Sequence, residues 1–164
     1  LPFPTVFNQL GPLVNPSQPR YQLLGVASLD QMRLYSSIYK KLGINYGIVN
    51  SIDGYDEISL TGDFKVTTND VERLYTPAQL GLPVADPVNL RGGASKAEAV
   101  KIFDNVLRGT AADDQKNVVV ANAAYGIGVM EPHMSIADTV LAARESLESG
   151  KALEVLKKYV ALNS

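Results

Sequence analysis

An α/β fold is predicted by three observations. An apolar run, a capped amphipathic helix and a second apolar run follow one another between residues 22 and 49. Two strand-like segments then flank an Asn-Asp turn, and residues 95–162 carry helix starts and helical apolar spacing throughout. The first pattern is a βαβ unit, whose crossover helix makes its two strands parallel. The expectation is a mainly parallel sheet flanked by helices, with a small antiparallel hairpin.

Residues 1–20 contain five prolines, which lack an N–H and restrict the residue before them. This region should be extended and looped, with at most a short helical turn around Val6 to Leu10. Gln22–Ala27 reads as a buried strand. Ser28 with Gln31 three residues on forms a capping box. Met32, Tyr35, Ile38, Tyr39 and Leu42 give the helix an apolar face, and Gly43 ends it at the position a C-cap prefers. Ile44–Val49 is the second strand. Asp63–Thr68 and Glu72–Tyr75 pair across Asn69-Asp70 as a hairpin. Thr76-Pro77 with Gln79 starts a short helix that Gly81 and Pro83 stop, and residues 82–94 read as loop. Ser95 with Glu98 opens a helix with Ala99, Ile102, Phe103, Val106 and Leu107 inward. Residues 113–130 are apolar nearly all round, as in a closely packed central helix, with strand an alternative for 118–121. Ser135 with Asp138 opens a helix burying Ile136, Val140, Ala143 and Leu147. Gly150 marks a break before a last helix, 151–162, that uses Leu153, Leu156 and Val160.

The chain has 164 residues, 46% hydrophobic and 20% charged, with a net charge of −2. That size supports one domain with a real core. The charge argues against a nucleic-acid footprint, and the absence of cysteine excludes a thiolate nucleophile or a disulfide framework. An intracellular protein fits. No apolar run approaches the roughly 18 residues that span a bilayer. The chain begins Leu1-Pro-Phe-Pro without Met, which reads as a piece of a longer protein.

The chemistry concentrates in Ser51-Ile-Asp-Gly-Tyr-Asp-Glu-Ile-Ser-Leu-Thr-Gly62, directly after the second strand. Open α/β sheets bind their ligands just past the C-terminal ends of strands. Asp56 and Glu57 are adjacent, so a regular strand would point them to opposite faces. A loop bounded by glycines can turn both toward one point. Two hard oxygen donors suit Mg²⁺, which takes one or two carboxylates and completes its shell with water and phosphate oxygens. The competing reading is a polar turn with solvated acids. His133, the sole histidine, reads as loop surface.

Thr5-Val-Phe-Asn-Gln-Leu-Gly-Pro-Leu-Val-Asn-Pro16 closely resembles the signature of the anthranilate phosphoribosyltransferases, enzymes of the nucleoside phosphorylase type-3 fold. Asp53-Gly-Tyr-Asp-Glu57 resembles their metal-binding motif. Leu90-Arg-Gly-Gly93, Asn122-Ala-Ala124 and Ser149-Gly-Lys-Ala-Leu153 follow in the family's order. The resemblance implies an enzyme of tryptophan biosynthesis that joins the nitrogen of anthranilate to C1 of phosphoribosyl pyrophosphate and expels pyrophosphate. It implies that Asp56 and Glu57 hold one of two Mg²⁺ ions. It places Gly11 and Pro12 beside anthranilate, and Asn8, Asn15 and Asp53 in structural or supporting roles. Gly92-Gly93 fits a helix entry better than an anion site. Asn50 stands where many members carry histidine. The family's Gly-Thr-Gly-Gly-Asp phosphate loop, N-terminal helical domain and anthranilate-binding arginine have no counterpart in residues 1–164. By resemblance, the chain is therefore the C-terminal portion of the α/β phosphoribosyltransferase domain, inactive alone, with exposed sheet edges that invite self-association. The parent is expected to be a cytoplasmic homodimer with no nucleic-acid or membrane partner. The alternatives are a pyrimidine nucleoside phosphorylase of the same fold and a non-catalytic nucleic-acid-binding or scaffold paralogue.

Overall fold

The computed structural model describes residues 10–163. The expected turn at Val6 to Leu10 falls largely outside the described residues, and Asn8 with its expected supporting role lies wholly outside them. A 3₁₀ turn at Gly11–Leu13 leads toward the sheet. Four strands follow in chain order across the sheet: β1 (Tyr21–Gly25), β2 (Asn45–Ser51), β3 (Phe64–Thr68) and β4 (Glu72–Tyr75).

The βαβ unit is present, with β1 parallel to β2 from Tyr21 opposite Asn45 to Gly25 opposite Val49. The β3–β4 hairpin is present too. Among the described strands, however, the sheet is mixed rather than mainly parallel. The acid loop turns the chain back on itself, so β3 runs antiparallel to β2, with Ser51 opposite Phe64. The side chain of Asn69, in the hairpin turn, makes a two-point clip to the start of β2. It accepts from the Tyr46 N–H at 3.0 Å and donates to the Ile44 carbonyl at 3.0 Å.

β2 is buried on both faces, and its alternation divides the core in two. Tyr46 and Ile48 face helix α1 (Leu29–Leu42), against Met32, Tyr35 and Tyr39. Ser28 caps α1 by accepting from the Gln31 N–H, and Gly43 closes it at φ 66°. Leu42, expected on the buried face, is exposed: it is the last residue of the helix and borders a surface cleft instead of the core. On the opposite face, Val49, Phe64 and Val66 pack against α3 (Asp113–Met130), which buries Val120, Ala121, Ala124 and Tyr125. Residues 118–121 are helical. A Cβ on Gly47 would lie 2.8 Å from Val129 Cγ2, so glycine there lets β2 approach α3 closely. α4 (Ile136–Glu148) adds Thr139, Val140, Ala143 and Leu147 behind α3.

Three expectations about the helical half need correction. Residues 82–94 are not all loop. Pro87–Leu90 forms a 3₁₀ turn whose Asp86 cap accepts from the Val88 N–H, and Asp114 Oδ2 on α3 accepts from the Asp86 N–H and the Asn89 amide. In α2 (Lys96–Leu107), Ala99 and Phe103 are exposed, Phe103 at 56%. The helix reaches the core through Val106, while Ile102 lines a cleft instead of close-packed core. In α5 (Lys151–Leu162) none of Leu153, Leu156 or Val160 is buried, because this helix packs on the outside of α4, away from the sheet.

Candidate functional site

The acid loop leaves β2 at Ser51, and that buried residue knots it. The Ser51 hydroxyl donates to the Glu57 carbonyl at 2.6 Å and accepts from the Ser59 N–H at 3.1 Å. The Ser51 N–H donates to the Tyr55 carbonyl, and the Gly54 N–H returns to the Ser51 carbonyl. Gly54 adopts φ 100°, a left-handed conformation that glycine takes at no steric cost. Beyond the acids, Ile58, Ser59 and Leu60 are all buried, so the loop is pinned into the core directly after its charged tip. Leu60 has φ 58°, uncommon for a bulky residue, and its carbonyl accepts from the Ala85 N–H at 2.9 Å.

Asp56 and Glu57 are both exposed at this tip, past the C-terminal end of β2. Their backbone is held while their carboxylates are free to meet a ligand. The Asp56 carbonyl rests on Gly25 at the end of β1, where a Cβ would lie 1.5 Å from its oxygen. Ile58, one residue on, is clamped by Asn122 of α3. Its N–H donates to Asn122 Oδ1 at 3.0 Å, and its carbonyl accepts from Asn122 Nδ2 at 2.9 Å. Asp53 faces back into the loop, accepting from the hydroxyls of Thr61 and Ser59. Glu57 also borders a cleft of about 390 Å³, with Tyr55, Leu90, Arg91, Val106 and Val118 among its walls. Among the described residues, no group of three or more His, Cys, Asp and Glu side chains could hold a metal ion. Asp56 and Glu57 are the adjacent carboxylates at the exposed tip. Two exposed carboxylate donors fit Mg²⁺, which needs no larger protein cage.

The other candidate residues lie elsewhere. Pro12 lines a cleft of about 550 Å³ with Arg20, Leu42, Gly43 and Asn45, at the N-terminal end of β2. Gly11 beside it is exposed. The structure does not bring Gly11 and Pro12 together with the acid pair: the length of β2 separates them. Asn15 closes a local turn, accepting from the backbone and hydroxyl of Ser17. Asn50 is buried, and its amide donates to the Val26 carbonyl at 2.7 Å, tying the end of β2 to the β1 exit. Gly93 adopts φ 86° ahead of α2, and Glu98 accepts from the Ala94 N–H, which is helix-entry geometry. His133 is exposed beside Glu131.

Ser51, Gly25 and the partner of Asn122 were not foreseen. A glycine at a strand end and a serine opening an acid loop are weak signals alone. The Asn122 contact spans 64 residues of sequence, and no local pattern marks it.

The fold recurs in known proteins. The anthranilate phosphoribosyltransferase of Phocaeicola vulgatus is 56% identical over 160 residues, which are 98% of this chain and 48% of the relative. That of Bacteroides thetaiotaomicron is 51% identical over the same share of each. The chain spans about half the length of the curated relatives it matches. Among solved structures, the anthranilate phosphoribosyltransferase of Thermus thermophilus superposes with a TM-score of 0.86 at 31% identity, covering 98% of this chain and 48% of that one. The Saccharomyces cerevisiae enzyme in complex with PRPP and Mg gives 0.83 at 28%, covering 94% and 45%. The family model "Glycosyl transferase family, a/b domain" matches residues 1–153, nearly the whole sheet-and-helix body with its acid loop, and the chain accordingly belongs to that family.

Proposed function

We propose that this chain forms part of an anthranilate phosphoribosyltransferase. The enzyme would transfer the phosphoribosyl group of phosphoribosyl pyrophosphate to anthranilate, giving N-(5-phosphoribosyl)-anthranilate and pyrophosphate in tryptophan biosynthesis. The high identity to enzymes of that name supports this reading, as does the likeness to yeast structures in complex with PRPP and Mg and with 4-fluoroanthranilate. The observation that carries it is the Asp56–Glu57 pair, exposed past the end of β2 on a loop whose backbone is tied down.

In the reaction a C1–N bond forms as the C1–O bond breaks, and negative charge builds on the departing pyrophosphate. A Mg²⁺ ion bound by Asp56 and Glu57 would supply the positive charge that neutralises it. The two carboxylates would hold the ion, and Ser51, Ser59 and Thr61 keep the loop in shape around Asp53. Gly11 and Pro12 are assigned to the anthranilate side by resemblance, and Asn15 and Asp53 to support. A cytoplasmic homodimer and the absence of a nucleic-acid or membrane partner complete the reading. The net charge of −2 supports the absence of a nucleic-acid partner. No helix among the described residues is long and apolar enough to cross a membrane. The chain alone is read as inactive, because it spans about half the length of its relatives.

In the full-length enzyme, Asp56→Asn combined with Glu57→Gln should lower kcat/KM by about 10²-fold or more, the scale of losing one electrostatic stabiliser. The loss of anthranilate fluorescence at limiting Mg²⁺ measures it. An unchanged rate would return the pair to the role of a solvated turn.

A further inference from the structure

Three successive backbone groups of the acid loop are each fixed to a different element. The Asp56 carbonyl lies against Gly25 of β1, the Glu57 carbonyl accepts from Ser51 of β2, and Ile58 is clamped by Asn122 of α3. The third restraint is the most complete. An asparagine amide offers one acceptor oxygen and two donor hydrogens. Asn122 engages its oxygen and its amino group in three hydrogen bonds. Oδ1 accepts from the Ile58 N–H, while Nδ2 donates to the Ile58 carbonyl and, at 2.9 Å, to the Val118 carbonyl one turn back on its own helix. The bond to Val118 holds the amide in orientation, and the other two grip both polar groups of one residue. The Ile58 side chain is 0% exposed, so that residue is also anchored through the core.

We propose that Asn122 is a positioning residue for divalent-cation binding. By fixing Ile58 to α3 it sets the place and orientation from which Asp56 and Glu57 present their carboxylates. The proposal rests on the reading of that pair as a metal site. Groups that orient ligands without touching the metal characteristically carry about 10- to 100-fold in affinity, because a ligand pair that must be ordered on binding loses part of its interaction energy to that ordering.

The test uses Mn²⁺ as the probe. The ¹⁵N-labelled full-length protein that carries this chain is titrated with Mn²⁺, and paramagnetic broadening of the backbone amides of this chain locates and quantifies binding. Circular dichroism and the dispersion of distant amides report whether each variant is folded. In the unaltered chain, broadening should centre on residues 55–58, and Asp56→Asn with Glu57→Gln should abolish it. Asn122→Leu, of similar size but without hydrogen bonds, should weaken binding about tenfold in a folded chain. Asn122→Ala, which removes the three hydrogen bonds without adding charge or bulk, should weaken binding to a similar extent. If Asn122→Leu does not fold, Asn122→Ala decides on the same scale. A folded Asn122 variant that binds Mn²⁺ within twofold of the unaltered chain overturns the proposal while leaving the acid-pair reading intact. Broadening at residues 55–58 that survives in the double carboxylate variant overturns the acid-pair reading, and the proposal with it. A measurement on the unaltered chain bears on the clamp directly. The Ile58 amide should exchange its hydrogen about 100-fold more slowly than an unprotected amide, and free exchange there overturns the clamp.

Discussion

At the scale of single residues, Tyr125 and Gly25 show opposite kinds of constraint. The Tyr125 ring packs edge-on against Phe64 and Tyr75, but its buried hydroxyl has no hydrogen-bond partner among the described residues. Burial pushes its pKa up well beyond the tyrosine range, with Tyr75 adding to the shift. A buried hydroxyl without a partner costs about 1–3 kcal/mol of desolvation. Tyr125→Phe keeps the ring contacts and should leave stability unchanged or raise it by about 1 kcal/mol, read as the urea midpoint at constant m. Gly25 is the reverse case, where nothing can be added. Gly25→Ala puts a methyl carbon onto the Asp56 carbonyl, so β1 or the acid loop must shift. The expected cost is about 1–3 kcal/mol, with the largest amide shift changes in residues 54–58. Sequence reading found Asp56 and Glu57 because their chemistry is local. It left Asn122 as a motif without a role, because an amide's function lies in what it touches.

At the scale of elements, local signals held wherever the controlling interaction was itself local. Ser28, Ser95 and Ser135 each accept from the N–H three residues on, as the capping pattern predicts. Gly43 and Gly81 close their turns at positive φ. The β3–β4 hairpin was also legible, and Lys65 and Glu72 add an ion pair across it. A hydrogen bond from Lys65 and its charge hold the Glu72 carboxyl below its ordinary value of 4.5. A depressed folded-state pKa means stability that is complete above the ordinary value and is lost as pH falls through the depressed one. Hydrogen exchange of the hairpin amides should therefore speed up as pH drops below about 4.5, after correction for intrinsic rates, and Glu72→Gln should remove that part of the dependence. Glu72 is largely solvated, so the effect is a modest one. The failures came where periodicity shows that a helix has an apolar side but not what covers it. Phe103 and Leu156 carry the right spacing, yet α2 meets the core only through Val106 and Leu107 at its C-terminal end, and α5 lies outside α4.

At the scale of the whole molecule, one face of the sheet is closed by α1 and the other by α3, while the edges at β1 and β4 stay open among the described residues. Tyr21 and Leu23 on β1, Leu74 on β4, and Phe103, Val155 and Tyr159 on the helices are all exposed. Open edges and large exposed apolar side chains favour association. The isolated chain should show a concentration-dependent rise in mass by light scattering between micromolar and hundreds of micromolar concentrations; a constant monomer mass across that range counts against it. By itself, the sequence determined the α/β class, the capped helices, the hairpin and the acid pair. Each is written in residues a few positions apart, where propensity, capping and periodicity act. Tertiary structure alone decided that β3 runs against β2, that Gly11 and Pro12 lie at the far end of the sheet from the acids, and that Asn122 grips Ile58. Those outcomes depend on which surfaces meet after the chain has turned. Burial and hydrogen-bond satisfaction act there between residues that no local pattern connects.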